Sequence, residues 1–144
     1  MPYDAQKIIN TANSFLIAAD RSKEQRPLPN GQFQMLMVPS VVCTAFAVEL
    51  YFKAIITLES ASAKGHGLFD LYSLLSPNSQ VALAKHLSIA APTFTQKLKE
   101  ISGAFVEWRY IFEQQAANLD LAFLNDLARA SKLVAESMPK PSTT

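Results

Sequence analysis

Four charged side chains lie on two otherwise apolar segments of this chain, and their types suit acid–base or ion-pair chemistry. Glu49 and Lys53 are four residues apart on one segment, and Arg109 and Glu113 are four residues apart on the other. Both segments have helical spacing of their apolar residues. A charge among apolar side chains is costly to desolvate unless it is paired. These residues are therefore the first candidates for a functional site or a buried charge network.

The spacing of the four charges favours one network between two packed helices. Glu49 precedes Lys53, which is the better orientation for an intrahelical pair, but an exposed pair contributes only about 0.2 to 0.5 kcal/mol. If the helices pack together, we expect Arg109 to bind the Glu49 carboxylate by a bidentate contact. Structural pairing that fixes the helix register is the favoured role, and a role in chemistry is the alternative.

The two histidines are the remaining candidates for acid–base chemistry. His66 follows Gly65 at the start of a short helix, where we expect its ring to bond a nearby backbone group, and His86 is expected to be solvated. Either could act as a base in a cleft, since histidine side chains titrate near neutral pH. The chain lacks the cysteine, histidine and glycine motifs of common metal, cofactor and hydrolase sites. We therefore predict no cofactor and no metal.

The composition predicts one helical domain over residues 1–138, followed by a disordered tail over 139–144. The chain has 144 residues, of which 49% are hydrophobic, enough to fill one core. A net charge of +1 gives no general basic footprint, so any RNA contact needs a local patch. Cys43 is the only cysteine and is expected to be a buried, inert thiol. The N-terminus lacks a secretory signal pattern, which predicts a soluble cytoplasmic protein and no membrane contact.

The periodicity predicts an all-α fold, an up-and-down bundle of four long helices with two short inserted helices. The region 21–34 contains proline, asparagine and glycine and is expected to be a long exposed loop. Gly103 lies inside the third long helix and weakens it by about 1 kcal/mol relative to alanine. The four long helices are expected over about 4–20, 40–60, 93–115 and 119–137, and the short ones over 66–75 and 76–87.

Three segments together resemble the HEPN superfamily, small all-helical domains of prokaryotes and some eukaryotes. They are Ala47–Ala54 on the central helix, Gly65–Leu75 after a turn, and Glu107–Glu113 on a late helix. The resemblance implies a bundle that is often a homodimer and occurs in toxin–antitoxin pairs, phage defence and RNA processing. It also implies a partner, either a nucleotidyltransferase-type antitoxin encoded nearby or RNA.

The resemblance does not extend to the nuclease motif. Active HEPN ribonucleases carry an Arg that is followed by four to six residues and then a His, and the dimer joins two such motifs in one metal-independent cleft. Arg109 matches the Arg, but Gln114, Gln115 and Ala116 stand where the His would lie. Losing a general base removes about 100-fold to 10,000-fold in rate. A non-catalytic member is therefore the favoured interpretation.

Two functional hypotheses follow. In the first, the chain is a non-catalytic module that dimerises or binds a partner protein or RNA, and Arg109, Tyr110 and Glu113 shape a shared cleft. In the second, it is a degenerate metal-independent endoribonuclease in which Arg109 stabilises a phosphate and His66 or Glu49 acts as the base.

Overall fold

The protein is mostly helical, which confirms the all-α class. The structure is a computed structural model and describes residues 3–111 and 119–139. A short two-stranded ribbon follows the first helix. The elements are α1 Ala5–Ser22, β1 Arg26–Pro27, β2 Phe33–Gln34, α2 Met37–Leu58, α3 Leu68–Ser73, α4 Pro77–Leu87, α5 Ala91–Ile101, α6 Ala104–Arg109 and α7 Leu121–Ser137.

The central element is α2, which packs against α1, α3, α6 and α7. Its apolar residues occupy almost every side of the helix, and its large side chains are fully buried at Tyr51, Phe52, Ile55 and Ile56. Burying one large apolar side chain stabilises the fold by about 1.5 to 3 kcal/mol. The position of α2 at the centre of the helices therefore follows from its sequence.

The length and hydropathy of α2 also match those of a membrane span. Met37–Leu58 is long and apolar enough to cross a bilayer, but most of it is buried inside the protein. A helix surrounded by other helices of the same chain is the pattern of a soluble core helix. The structure thus supports a soluble protein, and a cytoplasmic location remains a prediction.

Helix starts follow capping chemistry at two of the predicted positions. The Asp4 carboxylate accepts from the backbone N–H groups of Gln6 and Lys7, and the Ser76 hydroxyl accepts from that of Ser79. By contrast, α2 starts at Met37, earlier than predicted, although Pro39 follows in its first turn. The first backbone N–H groups of a helix have no intrahelical partner, so proline loses no hydrogen bond there.

The single helix predicted over 93–115 is wrong, because the chain breaks between α5 and α6 at Ser102 and Gly103. The Ser102 carbonyl accepts from the N–H of Leu68 at 3.2 Å, and its hydroxyl accepts from the N–H of Phe69 at 2.9 Å. These bonds satisfy the first turn of α3, and Gly103 has a low helix propensity. Docking of α3 thus divides the helix. Its predicted end at 112–115 lies outside the described residues.

The predicted loop over 21–34 is exposed but contains an ordered hairpin. Its strands pair antiparallel, with Arg26 opposite Gln34 and Pro27 opposite Phe33. At the turn, Gly31 has a φ of 83°, a conformation that glycine adopts without steric cost. The loop is therefore a short ribbon rather than an irregular segment. The tail predicted to be disordered falls outside the described residues from position 140 onward.

A partly buried carboxylate links the end of α2 to the start of α4. Glu59 accepts from the N–H of Ser76 at 3.0 Å and from the Ser79 hydroxyl at 2.8 Å, and also from the Ser76 hydroxyl. Burial raises the pKa of the Glu59 carboxyl, but these hydrogen bonds outweigh it, so the net pKa lies below its ordinary value. The charged carboxylate therefore stabilises this junction.

We expect Glu59→Gln to reduce the loss of stability in acid. Because the folded-state pKa lies below the unfolded value of about 4.3, Glu59 contributes stability above that pH and loses it as the pH falls through the folded pKa. Urea unfolding at a series of pH values from about 6 to 3 should show a smaller decline for Glu59→Gln than for the wild type. Glu100→Gln, at an exposed position on α5, is the control and should keep the wild-type decline. Identical pH profiles for all three proteins would contradict the assignment.

Candidate functional site

Glu49 is the buried centre of a three-residue charged site. It lies in the middle of α2 and is only 2% exposed. Its Oε2 lies 3.0 Å from Lys53 Nζ, one turn further along the helix, and 3.3 Å from His66 Nδ1. The spacing alone predicted the first pair, and the turn after α2 adds the histidine. We call Glu49, Lys53 and His66 the Glu49 cluster.

His66 is the solvent-facing member of the Glu49 cluster. Its side chain is 76% exposed. It follows Gly65, whose φ of 92° turns the chain back toward α2. The helix predicted to include it starts at Leu68, and its ring contacts Glu49 and Lys53 rather than the backbone group expected from the sequence. When Nδ1 carries the proton, it donates to Glu49 and leaves Nε2 to accept a proton from solvent or substrate.

The second carboxylate oxygen of Glu49 reduces the stability of the folded protein. Oε1 is buried and has no hydrogen-bond partner within the described part of the chain. Leaving a buried acceptor unsatisfied costs about 1 to 3 kcal/mol, and more when it is charged. The ion pair with Lys53 must therefore offset much of the burial of this carboxylate. A buried carboxylate with one unsatisfied oxygen is unusual, and this marks the position as a candidate site.

Arg109 does not take part in the Glu49 cluster. Within residues 3–111 and 119–139, the ion pairs of Glu49 are formed with Lys53 and His66, so the predicted bidentate contact from Arg109 is absent. Arg109 instead lies exposed on α6, with its guanidinium carbon 4.8 Å from the centre of the Phe105 ring and 5.4 Å from that of Tyr110. Its interaction is thus with aromatic faces.

The contact between α6 and α2 lies one turn away from Glu49. The break at Ser102 lies against the start of α3, and Phe105 stacks on Phe46 with ring centres 4.7 Å apart. Phe46 is one turn before Glu49 on α2, and Arg109 is one turn beyond Phe105 on α6. The two helices therefore pack together, as the expected charge network required, but their contact does not bring Arg109 to Glu49.

A second candidate surface lies on the outer side of α6. Val106 and Tyr110 are each about half exposed, and Arg109 is exposed between them in the sequence. We call Val106, Arg109 and Tyr110 the α6 patch. It combines an apolar side chain, a cation and an aromatic ring. Glu113, which the sequence placed beside Arg109, lies outside the described residues.

The chemistry available at these two sites differs. The Glu49 cluster holds groups that can move a proton, whereas the α6 patch holds groups that bind apolar, aromatic or anionic surfaces. Among the residues that the structure describes, no group of three or more His, Cys, Asp or Glu side chains is arranged to hold a metal ion. What either site does must therefore be argued from its own side chains.

Comparison with known proteins gives no family assignment. No family model, no curated protein and no solved structure matches the chain. The resemblance to the HEPN superfamily therefore remains a prediction.

Sequence reasoning missed an aromatic stack that supports the α6 patch. Phe15 of α1 contacts Phe46 edge-on with ring centres 4.7 Å apart, and Phe46 in turn stacks on Phe105. Such contacts add about 0.5 to 1.5 kcal/mol each beyond area burial. The spacing of four residues between Phe105 and Arg109 places both on one helix face and was a signal for their contact, but the sequence carried no signal for the stack because it joins three different helices.

We expect Lys53→Met to destabilise the protein far more than Arg109→Met. Removing one partner of a buried ion pair costs about 3 to 5 kcal/mol, and we expect the lower end because Lys53 is partly exposed. Within the part of the chain that the structure describes, Arg109 loses exposed cation–aromatic contacts, which contribute about 0.5 to 1 kcal/mol. Urea unfolding of both variants at neutral pH measures the difference. Equal free energies of unfolding would show that Lys53 does not sustain the buried carboxylate.

Proposed function

We propose that the chain is a non-catalytic, HEPN-like helical domain, an up-and-down bundle that works as a dimerisation and partner- or RNA-binding module. The observation that carries this proposal is the α6 patch, where Arg109 is held over two aromatic rings on an exposed helix face. The sequence lacks the histidine that nuclease chemistry of the HEPN type requires. The exposed surface of α6 is therefore suited to binding rather than to catalysis.

The side-chain types of the α6 patch support a binding role. Arginine and tyrosine are enriched among the residues that dominate binding energy at protein interfaces. Stacking of Phe105 on Phe46 attaches α6 to the central helix, so the patch rests on a rigid support. A rigid arginine loses less conformational freedom on binding than a mobile one. The patch is therefore preorganised for binding.

The charge of the chain bears on the class of partner. With a net charge of +1, the protein has no broad electrostatic attraction for RNA, so RNA would have to be held locally by Arg109 and an aromatic ring. A protein partner needs no such field. In a toxin–antitoxin or phage-defence system of the cytoplasm, a nucleotidyltransferase-type antitoxin would be that partner, and a homodimer would present two copies of the patch.

We expect Arg109→Ala to weaken partner binding by about 30-fold, which corresponds to a loss of about 2 kcal/mol at a central interface residue. The test uses purified wild type, Arg109→Ala and Lys85→Ala against the product of the adjacent gene and against a labelled mixed-sequence single-stranded RNA. Lys85 is an exposed cation on α4, so its removal controls for the loss of one charge. If Arg109→Ala and Lys85→Ala bind both probes as the wild type does, the α6 patch is not the binding surface.

A degenerate metal-independent endoribonuclease is the second candidate. The contact between Glu49 Oε2 and His66 Nδ1 at 3.3 Å favours it, because a buried carboxylate can orient an exposed imidazole as a general base. Glu49 itself is too deeply buried to reach a ribose hydroxyl. Its role would be to position His66, while Arg109 would stabilise a phosphate.

The two candidates are separated by an RNA cleavage assay in the presence of a chelator. The binding proposal expects no cleavage above background by the wild type, and the same result for His66→Ala and Arg109→Ala. The nuclease candidate expects wild-type cleavage that falls by about 100-fold or more in His66→Ala, since general bases contribute at least that factor. The cleavage rate should fall less in Glu49→Gln than in His66→Ala, because the glutamine disturbs only the orientation of the His66 ring.

A further inference from the structure

An open cavity of about 660 Å³ lies between α4 and the start of α5. Val81, Ala84 and Lys85 form part of its lining and share one side of α4, because they are three or four residues apart. The turn at Ser88 and Ile89, which leads into α5, forms another part. The volume lies within the range of about 300 to 1,000 Å³ that is typical of small-molecule sites.

The hydroxyl of Tyr72 is a polar group of a buried residue that opens into this cavity. Tyr72 is only 9% exposed, and its ring packs against those of Phe52 and Phe94, with ring centres 6.3 and 5.2 Å away. Its backbone carbonyl accepts from Gln80, but within residues 3–111 and 119–139 its hydroxyl has no hydrogen-bond partner. The hydroxyl is not among the fully enclosed polar atoms, and Tyr72 lines the cavity, so the hydroxyl points into it.

The Tyr72 hydroxyl is available as a donor. Burial raises the pKa of this hydroxyl above its ordinary value, so it keeps its proton at neutral pH. A buried tyrosine hydroxyl usually has a hydrogen-bond partner. A ligand that presents an acceptor would supply the partner that the described part of the chain does not.

The start of α5 adds a second donor to the same cavity. Its N-cap is Ala90, whose side chain cannot accept a hydrogen bond, and no side chain of the described residues caps this helix. The backbone N–H of Ala91, which also lines the cavity, therefore has no partner in the described part of the chain. The partial positive charge at a helix N-terminus favours an anion there.

The charged lining of the cavity is positive. Lys85 lines it and forms no ion pair with any residue that the structure describes. Gln80 and Ser88 are polar but uncharged, and no Asp or Glu is found among the described residues of the lining. The Gln80 side chain also donates to the carbonyls of Tyr72 and Leu75, at 3.1 and 3.2 Å, which ties α4 to the end of α3 and holds the walls in place.

We propose that this cavity binds a small aliphatic carboxylate. The carboxylate accepts hydrogen bonds from the Tyr72 hydroxyl and the Ala91 N–H and lies near the Lys85 ammonium group, while the aliphatic body covers the apolar wall of Val81, Ala84 and Ile89. A cation would meet only positive charge, and inorganic phosphate would leave the apolar wall uncovered. This site goes beyond the proposed function and is separate from the α6 patch.

A titration with octanoate tests the site, followed by two-dimensional amide NMR spectra of the full chain. We expect saturable shifts of the Ser88 and Ala91 amide signals, with a dissociation constant below about 1 mM. Octanamide has the same aliphatic body without the charge and should bind at least about tenfold more weakly. No saturable shift at Ser88 and Ala91, or equal affinity for octanoate and octanamide, would overturn the proposal.

Two variants test the polar groups of the cavity. Tyr72→Phe keeps the packed ring and should raise the octanoate dissociation constant by about tenfold or more, the effect of one hydrogen bond to a charged group. Lys85→Ala should raise it by about threefold, since an exposed ion pair contributes less. Tyr3→Phe and Lys7→Ala remove the same groups at exposed positions of the N-terminal region and should bind as the wild type does.

Circular dichroism and the dispersion of the amide spectra check that each variant keeps the helical fold. A folded Tyr72→Phe variant with wild-type affinity for octanoate would contradict the role of the hydroxyl and with it the site.

The outcomes for this site and for the α6 patch can be told apart. Lys85→Ala should weaken octanoate binding and still bind the adjacent gene product or RNA, whereas Arg109→Ala should do the reverse. Wild-type octanoate affinity in Lys85→Ala and Tyr72→Phe overturns the carboxylate site alone. Wild-type partner binding in Arg109→Ala overturns the proposed function alone.

Discussion

Burial of α2 is the constraint on which the rest of the structure depends. Its apolar residues face almost every direction, so the helix is stable in water only when other helices surround it. Helices α1, α3, α6 and α7 pack around α2, and the same contacts cover their own apolar faces. The order of the helices around α2 therefore decides which side chains meet, and both candidate sites arise from those contacts.

The same burial gives Glu49 its importance. A carboxylate in the middle of such a helix must be desolvated, and Lys53 on the next turn is the nearest cation that can compensate for it. His66 reaches the same oxygen from the turn that follows α2. An imidazole held by a buried carboxylate and open to solvent is an arrangement from which acid–base activity can arise. The binding proposal depends on the α6 patch, whereas the nuclease candidate needs the Glu49 cluster as well as Arg109.

Local sequence signals predicted the elements well where the chemistry is local. The carboxylate of Asp4 and the hydroxyl of Ser76 mark helix starts, because a side chain caps backbone groups only a few residues away. The division of the third long helix was not predicted, since its cause lies in α3. The carbonyl and hydroxyl of Ser102 accept hydrogen bonds from backbone N–H groups more than thirty residues earlier in the chain. The hairpin was missed because two-residue strands leave almost no periodic signal.

The sequence by itself determined the helical class, the central place of α2 and the pairing of Glu49 with Lys53. Each depends on spacing along one helix, which is fixed by 3.6 residues per turn. The tertiary structure alone decided that His66 joins Glu49 and that Arg109 does not. Those contacts depend on where the turn after α2 directs the chain and on where the break at Ser102 and Gly103 places α6 against α2, and neither property is encoded in the spacing of nearby residues.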